Sequence, residues 1–233
     1  DGRDAPFDRD FVSMHEVDEP LLRVNLDGKG VIAVPWAREW PLGITPPHLQ
    51  GQWALRTGAQ GYIGWLKVPA NSVRDATREA SYEVAVRGQD LRVTLRETFY
   101  GLEGRGLRRR LRSTDPQTRL RMVRSRLRPH GRRLTVHRVR IQNLHDPNAP
   151  LIITAVFSLR AAVQRVPGGA ILRFSTGRVR NPVDPQSRRR PFWIPQARHD
   201  SETITVRTPA TWRIVAAPGD HRLDTRFGQA RRK

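Results

Sequence analysis

The chain contains no cysteine, which excludes disulfides, thiolate metal sites and a cysteine nucleophile from its internal chemistry. Either redox environment tolerates a cysteine-free chain, so the compartment stays open. Lysine is scarce as well: Lys29, Lys67 and Lys233 are the only three among 42 basic residues, and the other 39 are arginine. No apolar run reaches the roughly 20 residues of a membrane helix; the longest, Leu151 to Val163, is interrupted by Arg160. The first residue is Asp1 rather than methionine, as expected of a processed product or of a chain lacking a larger N-terminal region.

What is present is basic. The formal net charge is +20, which attracts anionic partners: nucleic acid, phospholipid headgroups, acidic glycans or an acidic protein. High-GC coding explains arginine in place of lysine, but not the size of the positive excess. With 233 residues and 37% hydrophobic content, the chain can build one large domain, or one domain with a smaller lobe. The first ten residues and the stretch from Gly228 to Lys233 are polar.

Two patterns divide the interior. Leu21 to Leu26 and Val31 to Val34 read as short strands joined at Asp27-Gly28, the strongest short-range hairpin signal. Pro35 to Gln60 is rich in Pro, Gly and Trp and reads as ordered but irregular, with Trp36, Trp40, Trp53 and Trp65 as core anchors. From Ala80 the period is two. Tyr82, Val84 and Val86 alternate with polar residues, as do Leu91, Val93 and Leu95, which marks half-buried antiparallel strands. Leu134 to Ile141 continues the pattern with a phase slip near His137-Arg138 that suits a bulge. Leu151 to Leu159, Ala170 to Ser175, Glu202 to Arg207 and Thr211 to Ala217 complete the expected strands.

A helical pair interrupts them. Gly101 to Arg112 places Leu102, Leu107 and Leu111 on a glycine-weakened helix. Asp115-Pro116 supplies a cap and an N1 proline, and Leu120, Val123 and Leu127 form an apolar stripe. The expected fold is therefore mainly β, an antiparallel β-sandwich over residues 73–233 with a helical insertion at about 101–128. Residues 1–72 precede it as a small β lobe.

Several segments, in order, carry a family resemblance: Val24-Asn25-Leu26-Asp27-Gly28-Lys29; Pro41-Leu42-Gly43 with Pro46 to Leu55; Glu97-Thr98-Phe99-Tyr100-Gly101-Leu102; Asp115-Pro116; and Val139 to Leu151. The chain resembles the C-terminal portion of bacterial transglutaminase-like proteins with flanking β-sandwich domains of unknown function. The resemblance implies that residues 1–72 are the latter part of a transglutaminase-like core and that the protein is periplasmic or associated with the cell envelope. Family catalysis uses a cysteine, a histidine base and an aspartate orienter. Here Pro20 stands at the histidine position and Val34 at the acid position, so the resemblance implies a pseudoenzyme. Half of such a core leaves apolar strand edges that a protein partner or a larger assembly should cover.

Other chemistry finds little support. None of the seven histidines has zinc-ligand spacing, no phosphate-binding glycine loop is present, and neither a metal nor a cofactor is expected. His15 would serve as a base only under a shifted alignment. Asp146, Asp184 and Asp200 lie in Pro- and Asn-rich turns that favour Asx-turn roles. The candidate binding residues are arginines: Arg108, Arg109 and Arg110, expected to project from a helix surface, and Arg188, Arg189 and Arg190 beside Phe192 and Trp193. Arginine next to exposed aromatics can clamp phosphate and stack on bases, while a solvated charged face is the simpler reading. No nucleic-acid-binding motif appears, which ranks nucleic acid below an acidic protein, lipid or glycan. The expected function is a non-catalytic binding or structural module. The alternatives are a transamidase or amidase completed by a missing N-terminal half, and a nucleic-acid-binding protein.

Overall fold

The computed structural model describes residues 19–130, 133–174, 176, 196–225 and 228–232. Asp27 and Gly28 take positive φ, 50° and 78°, as a type I′ turn requires. They join β1 (Leu22–Leu26) to β2 (Lys29–Ala33) as an antiparallel hairpin. A second hairpin, β3 (Trp53–Gly58) and β4 (Gly61–Lys67), begins within the stretch expected to be irregular. Trp36 and Trp53 are largely exposed rather than core anchors, and Trp40 and Trp65 are half-buried. Each hairpin has only two strands, too thin a layer to bury an indole by itself.

A short 3-10 turn, Val73–Ala76, leads into the main body. There β5 (Thr77–Arg87), β6 (Asp90–Phe99), β7 (Leu134–Gln142) and β8 (Leu151–Leu159) pair antiparallel. After β9 (Val163–Val166) and β10 (Gly169–Leu172), which form their own hairpin, β11 (His199–Arg207) joins β5 in parallel. The sheet order is β11-β5-β6-β8-β7. The expected phase slip is a register shift between Val136 and Arg138. It restores Val139 and Ile141 to the apolar face already occupied by Leu134 and Val136, all four packed against the core.

The protein is mainly β, and the strands assigned to a sandwich collect in this one large sheet. Two helices and a hairpin, rather than a second large sheet, cover its apolar face. α1 (Leu102–Arg112) and α2 (Pro116–Leu127) occupy the expected insert. Asp115 caps α2, its side chain accepting from the Thr118 backbone N–H at 2.9 Å. Leu111, Val123 and Leu127 close over Tyr82, Val84, Leu91, Val93, Leu95, Ile153 and Phe157. His130 completes the layer. It stacks between Phe157 and Phe174 at centroid distances of 5.6 and 6.0 Å and meets Tyr82 edge-on.

The end of the chain departs from expectation. Thr211 to Ala217 is not a strand and has no ladder partner among the described residues, with Ile214 and Val215 exposed; alternation alone makes no strand without a neighbouring edge to pair its backbone groups. The basic tail does form structure, as β12 (His221–Thr225) pairs with β13 (Gly228–Arg232). Among the described residues no helix is long and apolar enough to cross a membrane.

Candidate anion-binding surface

Helix α1 carries the first arginine run, and its three members diverge. At 100° per residue, Gly104, Arg108 and Leu111 share the buried side. Arg108 is 1% exposed, contrary to the surface position expected of it, whereas Arg109 and Arg110 are exposed. Its guanidinium donates through Nη2 to the Ala149 carbonyl at 2.7 Å, and its Nε has no hydrogen-bond partner among the described residues. Burial lowers its proton affinity, which the nearby Asp146 partly restores. The helical period thus makes Arg108 a clamp on the loop between β7 and β8. Asp146 organises that loop as expected, accepting from the Asn148 N–H at 2.9 Å in an Asx turn.

Arg105, one turn earlier on α1, engages residues 39 and 40. It lies 3.9 Å from the Trp40 ring centroid, a cation–π geometry, and 3.8 Å from a Glu39 carboxylate oxygen. Trp40 in turn donates to the Ile44 carbonyl at 2.6 Å. Gly101, at the N-cap of α1, has φ 51°, and a Cβ there would stand 2.2 Å from the Asp75 carbonyl oxygen. Only glycine allows the turn before α1 to approach residues 44–75 so closely.

The strongest electrostatic feature lies under α2, and reading the sequence missed it. Glu97 points into the covered face of β6, almost fully buried. Its Oε1 accepts from Arg78 Nη2 at 2.7 Å and Nε at 3.0 Å, and Arg126 of α2 adds two bonds of 3.2 Å. Burial alone would raise the Glu97 carboxyl; the guanidinium groups of Arg126 and Arg78 outweigh it and hold it below its ordinary range. Arg78 also donates to Glu202 of β11 at 2.8 Å, so one guanidinium ties the parallel edge strand to the sheet and, through Glu97, to α2. Tyr82 beside this network is pushed up to about 12 by burial and by the charges of Glu202 and Glu97. The available signal was Glu97 at an apolar-phase position of an alternating strand.

Once these internal uses are assigned, an outward set remains. Arg119 caps α1 through the Leu111 carbonyl. Arg109, Arg110, Arg112, Arg121, Arg124 and Arg128 are exposed on α1, on α2 and at the C-terminal cap of α2, with no carboxylate within 4 Å among the described residues. Such a surface can hold carboxylate or phosphate through forked hydrogen bonds. The other run, Arg188 to Arg190 with Phe192 and Trp193, lies outside the described residues, as do Asp184 and His15. Asp200 is not in a turn: it sits in β11 and accepts from Arg198.

The β1–β2 register pairs Leu22 with Ala33, so Pro20 and Val34 flank the same end of that hairpin. Neither side chain titrates. Nearby, His48 Nε2 lies 3.0 Å from Glu19 Oε1 on the surface, a histidine–carboxylate pair that reading the sequence did not single out, in a chain with no cysteine for it to activate. No protein-family model matches the chain, and neither the curated proteins nor the solved structures offer a match.

Proposed function

We propose that this chain is a non-catalytic binding or structural module that presents an arginine-rich exterior to an acidic partner, within an assembly of the bacterial cell envelope. The observation that carries the reading is arginine left on the exterior without a carboxylate within 4 Å among the described residues, the six guanidinium groups on α1 and α2 included. A fold that needed arginine only internally would pair it, as it does at Glu97. The ordered resemblance to transglutaminase-like proteins supports the envelope setting. Proline and valine at the base and acid positions support a binding role over catalysis, since neither moves a proton. Trp36, Leu42, Trp53, Tyr62 and Ile63 are all exposed on residues 19–72, an apolar surface that a partner protein would cover.

Binding of fluorescent poly-L-glutamate, set against single-stranded DNA of equal charge, tests this reading. The expected result is tighter binding of the polypeptide, weakening as salt rises. Tighter binding of the DNA, or no binding of poly-L-glutamate at low salt, overturns it.

A further inference from the structure

The sheet has a second face, turned away from the helices, and its charge is unevenly distributed. The register places Thr154, Val156 and Ser158 of β8 in a half-buried strip between β6 and β7. Arg96 and Arg140 flank Thr154 from β6 and β7, Arg138 sits opposite Val156, and Arg92 sits opposite Ser158. All four arginines are exposed, and none has a carboxylate within 4 Å among the described residues. Beyond β6, the β5 half of the face mixes signs, with Glu79 and Glu83 on the same face as Arg87. Tyr100 donates to Glu79 at 3.3 Å, and Arg207 lies 3.6 Å from Glu83.

We propose that this strip is the seat of the acidic partner and that its occupant is an acidic polypeptide segment; the assignment rests on the reading given under Proposed function. Charge complementarity argues for it. Two strand spacings separate the β6 and β7 rows by about 9.6 Å, room for one extended chain. Arg138 and Arg140 stand about 6.8 Å apart along β7, and Arg92 and Arg96 about twice that along β6. An extended polypeptide presents side chains to one face at the same interval of about 6.8 Å, so carboxylates at alternate residues meet successive guanidinium groups. The floor of hydroxyl and methyl groups suits a peptide backbone and its small side chains. Toward β5 the positive charge is balanced by Glu79 and Glu83, so the unpaired guanidinium groups cluster about the β8 strip.

The same face disfavours other polyanions. On β6, β7 and β8 it presents hydroxyl side chains and the half-buried Ile152 and Val156 between the arginines, with His137 at the bulge held 2.8 Å from the Ser158 hydroxyl. Phe99 and Phe157 belong to the opposite, core face. Among the described residues, the β6, β7 and β8 positions of this face carry no Phe, Tyr or Trp on which bases would stack, and no protruding large apolar side chain to insert into a bilayer.

The test compares two variants that remove the same charge: Arg92→Gln, Arg96→Gln, Arg138→Gln and Arg140→Gln together on the sheet, and Arg109→Gln, Arg110→Gln, Arg121→Gln and Arg124→Gln together on the helices. Binding of poly-L-glutamate should fall about tenfold or more in the sheet variant, the sum of four exposed ion pairs, and less than about threefold in the helix variant. Thr154→Glu, which sets a carboxylate in the strip while leaving every arginine in place, should weaken binding as well, and it serves if the sheet variant does not fold. Equal losses in the two quadruple variants, a larger loss from the helices, or no effect of Thr154→Glu overturn the assignment to this face while leaving a basic binding module standing. Tighter binding of single-stranded DNA, or of phosphatidylglycerol vesicles, through the same four arginines overturns the polypeptide assignment. Failure of the unaltered chain to bind poly-L-glutamate removes both proposals.

Discussion

Residues 19–72 and the sheet body that follows treat their aromatic side chains in opposite ways. In the body, Tyr82, Phe99 and Phe157 are buried, and His130 locks against two of the rings that surround it. In the earlier segment, Trp36, Trp53 and Tyr62 are 48%, 41% and 62% exposed. Local hydrophobicity does not separate the two regions. Closure does: five strands with two helices over one face make an interior, whereas two separate hairpins make only edges. Contacts that hold the earlier segment to the body include Arg105 on Trp40 and Glu39, the Leu42 N–H donating to Asn148 at 2.9 Å, and an amide cluster of Gln50, Asn71 and Gln196.

Phe157→Ala should break the body most severely. It removes a ring from the centre of the core and from the His130 stack, so denaturant unfolding should show a loss of about 3–5 kcal/mol. Next comes Glu97→Ala, which removes the buried carboxylate shared by the largely buried Arg78 and the more exposed Arg126; a loss of about 3 kcal/mol is expected. Glu97→Gln sharpens the same point through pH. The folded Glu97 carboxyl titrates below its ordinary value of 4.5, so its stabilisation is complete above that value and is lost as pH falls through the depressed one. Acid unfolding of the Gln variant should lack that part of the pH dependence, and an unchanged acid profile would show that Glu97 is not the group responsible. Smallest are Trp36→Ala and Trp53→Ala, each expected to change the stability of the isolated chain by less than about 0.5 kcal/mol. A loss as large as that of Phe157→Ala would erase the contrast between the two regions.

What could be read from the sequence was whatever depends on neighbours in the chain. The β5–β6 hairpin, the cap at Asp115, the bulge near His137 and the whole of β8 carry their signals within a few residues. Contacts made at a distance were less visible. Thr211 to Ala217 alternates as a strand should, yet no edge lies alongside it. β3 escaped notice because Pro and Gly precede it, although its pairing depends on β4. At the candidate site, two of the three described arginines, Arg109 and Arg110, face outward as expected. Arg108 does not, because the helical period overrides a charge when a carbonyl stands ready to receive it. Glu97 went unremarked because its counter-charges come from Arg78, 19 residues earlier, and Arg126, 29 residues later.

The parallel edge strand also governs the order in which the protein can assemble. β5 and β6 are joined by a tight turn at Gly88 and can pair quickly, whereas β11 must find β5 across roughly 120 intervening residues. Closing so long a loop is slow, so β11 is the natural last strand, arriving after the helices have covered Glu97. Until it docks, the outer edge of β5 is bare and Arg78 lacks Glu202. During that interval the chain is most open to proteases and to pairing with another copy. Docking of β11 onto β5 is therefore the folding step at which the chain has most to protect.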